Sequence, residues 1–218
     1  YILYFFKMSK LPKNHQFLDL SDYGRSLGHW IASKLQNTPL TPIHVTTMFI
    51  ITGFIAIGFL LSGYLIASAF FLLLKSILDA ADGDLARLKQ KPSYIGRYYD
   101  SIADFILNFC FLLTLWYITD ISIIYMILSF LALQLQGTLY NYYYVILRNA
   151  VKGDSTSRIF ENTKPKALNG ESQLMVNIFY KIYYVLYIPF DKAIFYMDQT
   201  AIKSKPFPNW FMTLISVY

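Results

Sequence analysis

The chain has 218 residues, of which 56% are hydrophobic, 18% aromatic and only 15% charged, with a net charge of +6. A soluble domain carries about a quarter charged residues and spreads its apolar ones more evenly, whereas here they come in long unbroken blocks. A water-soluble globule and a disordered chain are thereby excluded. A disulfide scaffold is excluded too, because Cys110 is the single cysteine.

From the N-terminus, Ser21 to Gln36 places Tyr23, Leu27, Trp30, Ile31 and Leu35 at three- and four-residue steps, with Asp22, Arg25, Ser33 and Lys34 between them. This pattern predicts an amphipathic helix on the membrane surface with Trp30 at headgroup level. Ile43 to Gly63 is free of charge and long enough to cross a hydrocarbon core of about 30 Å. Tyr64 to Leu74 continues apolar, so a tight turn at Gly63 and a second span are expected. Phe105 to Ile118 and Ile121 to Leu147 are both charge-free, parted only by Thr119 and Asp120. Leu174 to Phe190 is a fifth block, interrupted by Lys181. Asn209 to Tyr218, after Pro206 and Pro208, is a sixth, short enough that the chain is expected to be a trimmed piece. Backbone in lipid must satisfy its own hydrogen bonds, and these blocks lack strand-like alternation. The expectation is an all-α integral membrane protein. Residues 1–38 form an N-terminal segment with the surface helix, and residues 39–218 a bundle of six transmembrane helices.

Positive charge sets the orientation. Lys7, Lys10, Lys13, Arg25 and Lys34 precede the first span, Arg87, Lys89, Lys91 and Arg97 follow the second, and Arg148, Lys152, Arg158, Lys164 and Lys166 follow the fourth. These are most of the 19 Lys and Arg residues, and alternating spans bring them to one side, expected to be the cytoplasm. Lys192, Lys203 and Lys205 run against that balance.

Acidic residues interrupt the junction of spans two and three. Ionised groups at membrane depth cost several kcal/mol each and are rare without a function or partner. Asp79 and Asp82 are three apart, and Asp100 and Asp104 four apart, so each pair shares a helical face. Two adjacent antiparallel helices can aim all four into one pocket, where cations must offset their repulsion. Oxygen ligands without His or Cys suit Mg²⁺, Mn²⁺ or Ca²⁺. Gly83, Ala86 and Gly96 leave room for close approach, Ser93 is a candidate N-cap, and Arg87 sets a fixed cation beside the acids.

Written out, Asp79-x-x-Asp82-Gly83-x-x-Ala86-Arg87, eight residues, Gly96, three residues, Asp100, three residues, Asp104 resembles the signature of the CDP-alcohol phosphotransferase family without gap or substitution. The resemblance implies a metal-dependent membrane enzyme of phospholipid synthesis in which an alcohol attacks a CDP-alcohol and CMP leaves. It further implies two divalent ions (Mg²⁺ or Mn²⁺) on Asp79, Asp82 and Asp100, joined by Asp104, which doubles as general base. Gly83, Ala86, Arg87 and Gly96 would line the nucleotide and diphosphate. A homodimer, a bacterial-type inner or plasma membrane location and no nucleic-acid partner are expected with it. The family often enters span one with Pro-Asn-x-x-Thr. Here Ile43 replaces the Asn and only Thr46 keeps its place, as a nucleotide contact or a helix-interface hydroxyl.

Other residues carry weaker signals. Lys75, one turn before Asp79, either faces the diphosphate or pairs with Asp79. Asp84 reads as a solvated end-of-helix charge, although an acid at that position looks like the variant in members that use inositol phosphate. His29 and His44 are expected at the membrane surface, and Tyr140, Tyr142, Tyr143 and Tyr144 in an interfacial belt. Arg148, Lys152 and Arg158 are candidates for gripping a phosphorylated acceptor. The favoured reaction takes CDP-diacylglycerol to a small polar alcohol of the inositol phosphate or glycerol phosphate type. Transfer of a phosphocholine-like group from a soluble CDP-alcohol to a lipid is the alternative. A cation- or proton-coupled transporter is a remote one, since the acids sit at one end of the spans and no inverted repeat is visible.

Overall fold

The computed structural model describes residues 11, 15–151, 163–203 and 207–216. Among them every regular element is helical: α1 (Arg25–Leu35), α2 (Pro42–Leu61), α3 (Leu65–Leu88), α4 (Tyr94–Thr119), α5 (Ile123–Ala150), α6 (Gln173–Met197), a short 3-10 turn (Ala201–Lys203) and α7 (Asn209–Ile215). α2, α4 and α5 are each long and apolar enough to cross a membrane. Their length and apolar composition are those of an integral membrane protein. α3 matches them in length, but Lys75, Asp79 and Asp82 interrupt its apolar run.

The breaks follow local chemistry. Gly63 takes φ +81° between α2 and α3, a conformation that costs glycine little. Asp120 ends α4 in the left-handed region, at the expected Thr119–Asp120 turn. Pro42 opens α2 at its first turn, where its missing N–H costs nothing, and His44 Nδ1 accepts from the Thr41 amide (3.0 Å). That makes His44 a cap. α6 runs past the expected end at Phe190 and carries Pro189 in its interior.

Residues 24–131 and 164–186 form one compact unit; the described residues of 1–23, 132–163 and 187–218 form another. In the first, α3 packs against both α1 and α2, and α2 also against α4. Ala32, Val45, Ala81 and Leu85 make one buried cluster there, and Phe49, Ile57, Ala103 and Leu107 a second. Large apolar side chains such as Ile51, Phe54, Ile124 and Leu128 stay exposed along α2 and α5, the pattern of a lipid-facing surface. In the second unit, Tyr140, Leu147, Met212 and Ile215 form the core with Leu11.

Helix α1 is shorter than the expected 21–36, and its packing face differs in kind. Gly28 and Ala32 are its buried residues, while Leu27 and Trp30 (61% exposed) point away from the packed side. A Cβ on Gly28 would lie 2.9 Å from Ala80 Cβ and 3.0 Å from both the Ala81 nitrogen and the Ile77 oxygen. Only glycine permits that approach to α3.

Candidate active site

The site is built from α3 and α4, with α1 and α2 behind them. Asp79 and Asp82 lie on α3 and Asp100 on α4, and one carboxylate oxygen of each lies within 4.8 Å of the others. Asp82 is only 6% exposed. Thr46, on α2, donates its hydroxyl to Asp82 Oδ2, which fixes that carboxylate's rotation. Asp100 Oδ1 is buried with no hydrogen-bond partner among the described residues. Three like charges this close do not hold together unaided. An unpartnered buried oxygen facing two more carboxylates fits a hard divalent ion.

Asp104 lies one turn further along α4, and Lys75 donates to its Oδ1. The ammonium also lies 5.1 Å from the centre of the Phe49 ring. The four acids therefore divide into three that converge and one held by a lysine.

Arg87, on α3, donates through one terminal nitrogen to Asp84, three residues back. Its Nε is buried without a partner among the described residues. Beside it, a Cβ on Gly83 would meet only the two terminal guanidinium nitrogens, at 3.7 Å. At Gly96 a Cβ would come within 3.2 Å of Ser93 Oγ. Ala86 is half-buried.

This arrangement coincides with a family match. The model of the CDP-alcohol phosphatidyltransferase family fits residues 40–190, which contain all four acids, Arg87 and both glycines. The chain belongs to the CDP-alcohol phosphatidyltransferase family. No curated protein and no solved structure matches it. Members of this family transfer a phosphate-linked group from a CDP-alcohol to an alcohol acceptor and depend on divalent metal. The converging triad is where this chain can hold such an ion.

Several residues behave differently from their sequence reading. Asp84 is not solvated: it is 2% exposed, with Arg87 on one oxygen and His29 Nδ1 at 3.2 Å from the other. His29 thus reaches into the bundle from α1. Tyr140 and Tyr142 are buried instead of belting the interface. Tyr140 donates to Asp19, while Tyr142 and Tyr143 donate to the carbonyl (2.8 Å) and carboxylate (2.7 Å) of Asp198. The hydroxyls of Tyr143 and Thr200 hold the Asp198 carboxyl below its ordinary range. Arg148 is 3% exposed, with its guanidinium 5.7 Å from the Tyr144 ring centre. Lys152 and Arg158 lie outside the described residues.

Ser93 does cap α4, accepting from the Gly96 amide at 2.8 Å. It has a partner that spacing alone does not announce. Glu171 Oε1 accepts from Ser93 Oγ (2.7 Å) and from the Ile95 amide (2.9 Å). A carboxylate at a helix N-terminus is favourable because the first amides there lack intrahelical partners. This one fastens the segment before α6 to the helix that carries Asp100 and Asp104.

Proposed function

We propose that this chain transfers a phosphatidyl group from CDP-diacylglycerol to the hydroxyl of a small polar, phosphorylated alcohol, releasing CMP. The observation that carries the reading is the convergence of Asp79, Asp82 and Asp100 from two helices, with Asp104 one turn away. Asp79, Asp82 and Asp100, joined by Asp104, would hold two divalent cations, Mg²⁺ or Mn²⁺. When bound, these supply Lewis-acid stabilisation of charge on the diphosphate and on the leaving oxygen.

The chain's own residues have separate tasks. Thr46 orients Asp82 toward the other acids, and so acts on the nucleotide's metal site from behind it. Gly83, Ala86 and Gly96 line the cytidine diphosphate, Gly83 and Ala86 leaving backbone-level space for it and Gly96 admitting the Ser93 cap. Arg87 offers it the guanidinium donors that Asp84 does not take. Lys75 donates to Asp104 Oδ1 and so orients the carboxylate that takes the proton from the acceptor hydroxyl. Arg148, a buried cation, is the described candidate for an acceptor's phosphate, with Lys152 and Arg158 beyond it in the chain.

The same reading places six spans in the bilayer, α1 on its surface and the acids toward the cytoplasm of a bacterial-type membrane, in a homodimer. The basic residues flanking the spans support that orientation, and the exposed Leu27 and Trp30 support a surface position for α1. CMP release from CDP-diacylglycerol and from CDP-choline, measured across inositol phosphate, glycerol phosphate, uncharged alcohols and diacylglycerol, tests the proposal. Release with a phosphorylated alcohol supports it. Release from CDP-choline with diacylglycerol would point to the phosphocholine-transfer reading instead, and release with no acceptor in the panel would refute both.

A further inference from the structure

We propose that His29, on α1, is a positioning residue for the donor site: it holds the buried Asp84, and Asp84 in turn sets the guanidinium of Arg87. The inference rests on the reading of Arg87 as the residue that meets the donor's diphosphate.

Asp84 is a carboxylate almost wholly removed from solvent, with one partner on each oxygen: His29 Nδ1 on Oδ2 at 3.2 Å and Arg87 on Oδ1. Such a group has no water to turn toward, so its two partners decide its rotation. An arginine and a carboxylate prefer two parallel contacts, fork to fork. Here His29 fixes the carboxylate's rotation from Oδ2, and Arg87 meets it through one oxygen and one nitrogen. Its Nε stays buried and unpartnered among the described residues, and its side chain remains partly exposed at 28%. An arginine with only one donor committed to its own helix is prepared for an anion. Without His29, the Asp84 carboxylate loses the partner that fixes its rotation, and the guanidinium it holds moves with it.

His29 lies 55 residues from Asp84 in the chain, and two features of this protein bring it there. Gly28, the preceding residue, allows α1 to touch the backbone of α3 at Ile77 and Ala81. Lys89, near the end of α3, donates to the carbonyls of Thr38 (2.7 Å) and Leu40 (2.6 Å) and so ties down the segment that follows α1. Helix α1 is therefore fixed to α3 on both sides of His29, and the His29 imidazole carries its contact to Asp84.

The test is steady-state kinetics on the full chain in lipid nanodiscs with CDP-diacylglycerol as donor, for His29→Ala, His29→Gln, Arg87→Ala and the double variant His29→Ala/Arg87→Ala. Loss of Arg87 should raise the donor KM about a hundredfold, and loss of His29 about tenfold with kcat nearly kept. His29→Gln, whose amide can still donate to Asp84, should recover most of that loss. In the double variant, removing His29 should add nothing to the loss of Arg87, because one acts through the other. A role confined to packing α1 would lower the active fraction, and so apparent kcat, with donor KM unchanged and no rescue by Gln. That result overturns the proposal. An unchanged donor KM in His29→Ala beside an impaired Arg87→Ala overturns it while leaving the proposed function standing. An unchanged donor KM in Arg87→Ala overturns both this link and the role given to Arg87. Should His29→Ala fail to fold, Asp84→Asn reads the same link from its centre, where an unchanged donor KM again overturns it.

Discussion

Replacing Thr46 with valine keeps the β-branch and nearly the volume, so it removes one hydroxyl and little else. That hydroxyl is buried, at 2% exposure, and donates to Asp82 Oδ2, itself on a residue 6% exposed. It also lies 3.1 Å from the Pro42 carbonyl, one turn back on α2, and a neutral carbonyl is the weaker competitor for its proton. A hydrogen bond to a charged group is worth about 1.5–3 kcal/mol, and Asp82 has little water to take its place. At 1.4 kcal/mol per factor of ten, the loss corresponds to about 10- to 100-fold in the affinity of a cation that needs Asp82 held in place. Outer-shell partners of metal ligands cost about the same when removed elsewhere. The assay is CMP release against Mg²⁺ concentration at saturating donor. The half-saturating Mg²⁺ should rise by that factor in Thr46→Val and stay near the native value in Thr46→Ser. An unchanged half-saturation in Thr46→Val would refute the reasoning, because Asp82 would then not depend on Thr46 to face the ion.

Three further outcomes follow from the same structure. Asp104→Asn should lose turnover while retaining CDP-alcohol binding measured by calorimetry, whereas Asp82→Asn should weaken donor binding as well; equal losses would mean that the two acids do not divide their roles. Gly28→Leu should destabilise the protein by about 1–3 kcal/mol through overpacking against α3, seen as a lower melting temperature in detergent. Gly58→Ala, where a Cβ meets nothing within 4 Å, should not lower it. Glu171→Gln should cost about 1 kcal/mol, the scale of a lost helix cap, in a melting experiment, and Ser93→Ala on top of it should cost less than it does alone, because the two share one capping site.

The parts of this molecule visible in its sequence are those with short-range causes. Gly63 and Thr119–Asp120 mark turns because a tight reversal between apolar runs needs a permissive backbone there. The three- and four-residue spacing of the acids is a helical face, and α3 and α4 bring Asp79, Asp82 and Asp100 together. Ser93 is legible as a cap from its place after Pro92. What could not be read is what depends on docking. Asp84 reads as a solvated charge until α1 is laid on α3, and only the space left by Gly28 allows that. The tyrosines near the end of α5 have the composition of an interfacial belt, and their burial depends on Asp19 and Asp198, distant in the chain. Glu171 reaches the start of α4 from 76 residues away. The pairing of Lys75 with Asp104 joins two helices whose register no local pattern specifies.

The claim on which the rest depends is that Asp79, Asp82 and Asp100 form a divalent-cation centre. Mn²⁺ binding to the purified chain in lipid nanodiscs, followed by electron paramagnetic resonance of the free ion, measures this without reference to turnover. The account predicts saturable binding in the native protein that is lost in Asp100→Asn, whose buried Oδ1 has no other partner among the described residues. Equal Mn²⁺ affinity in the native protein and in a folded Asp100→Asn variant would contradict it.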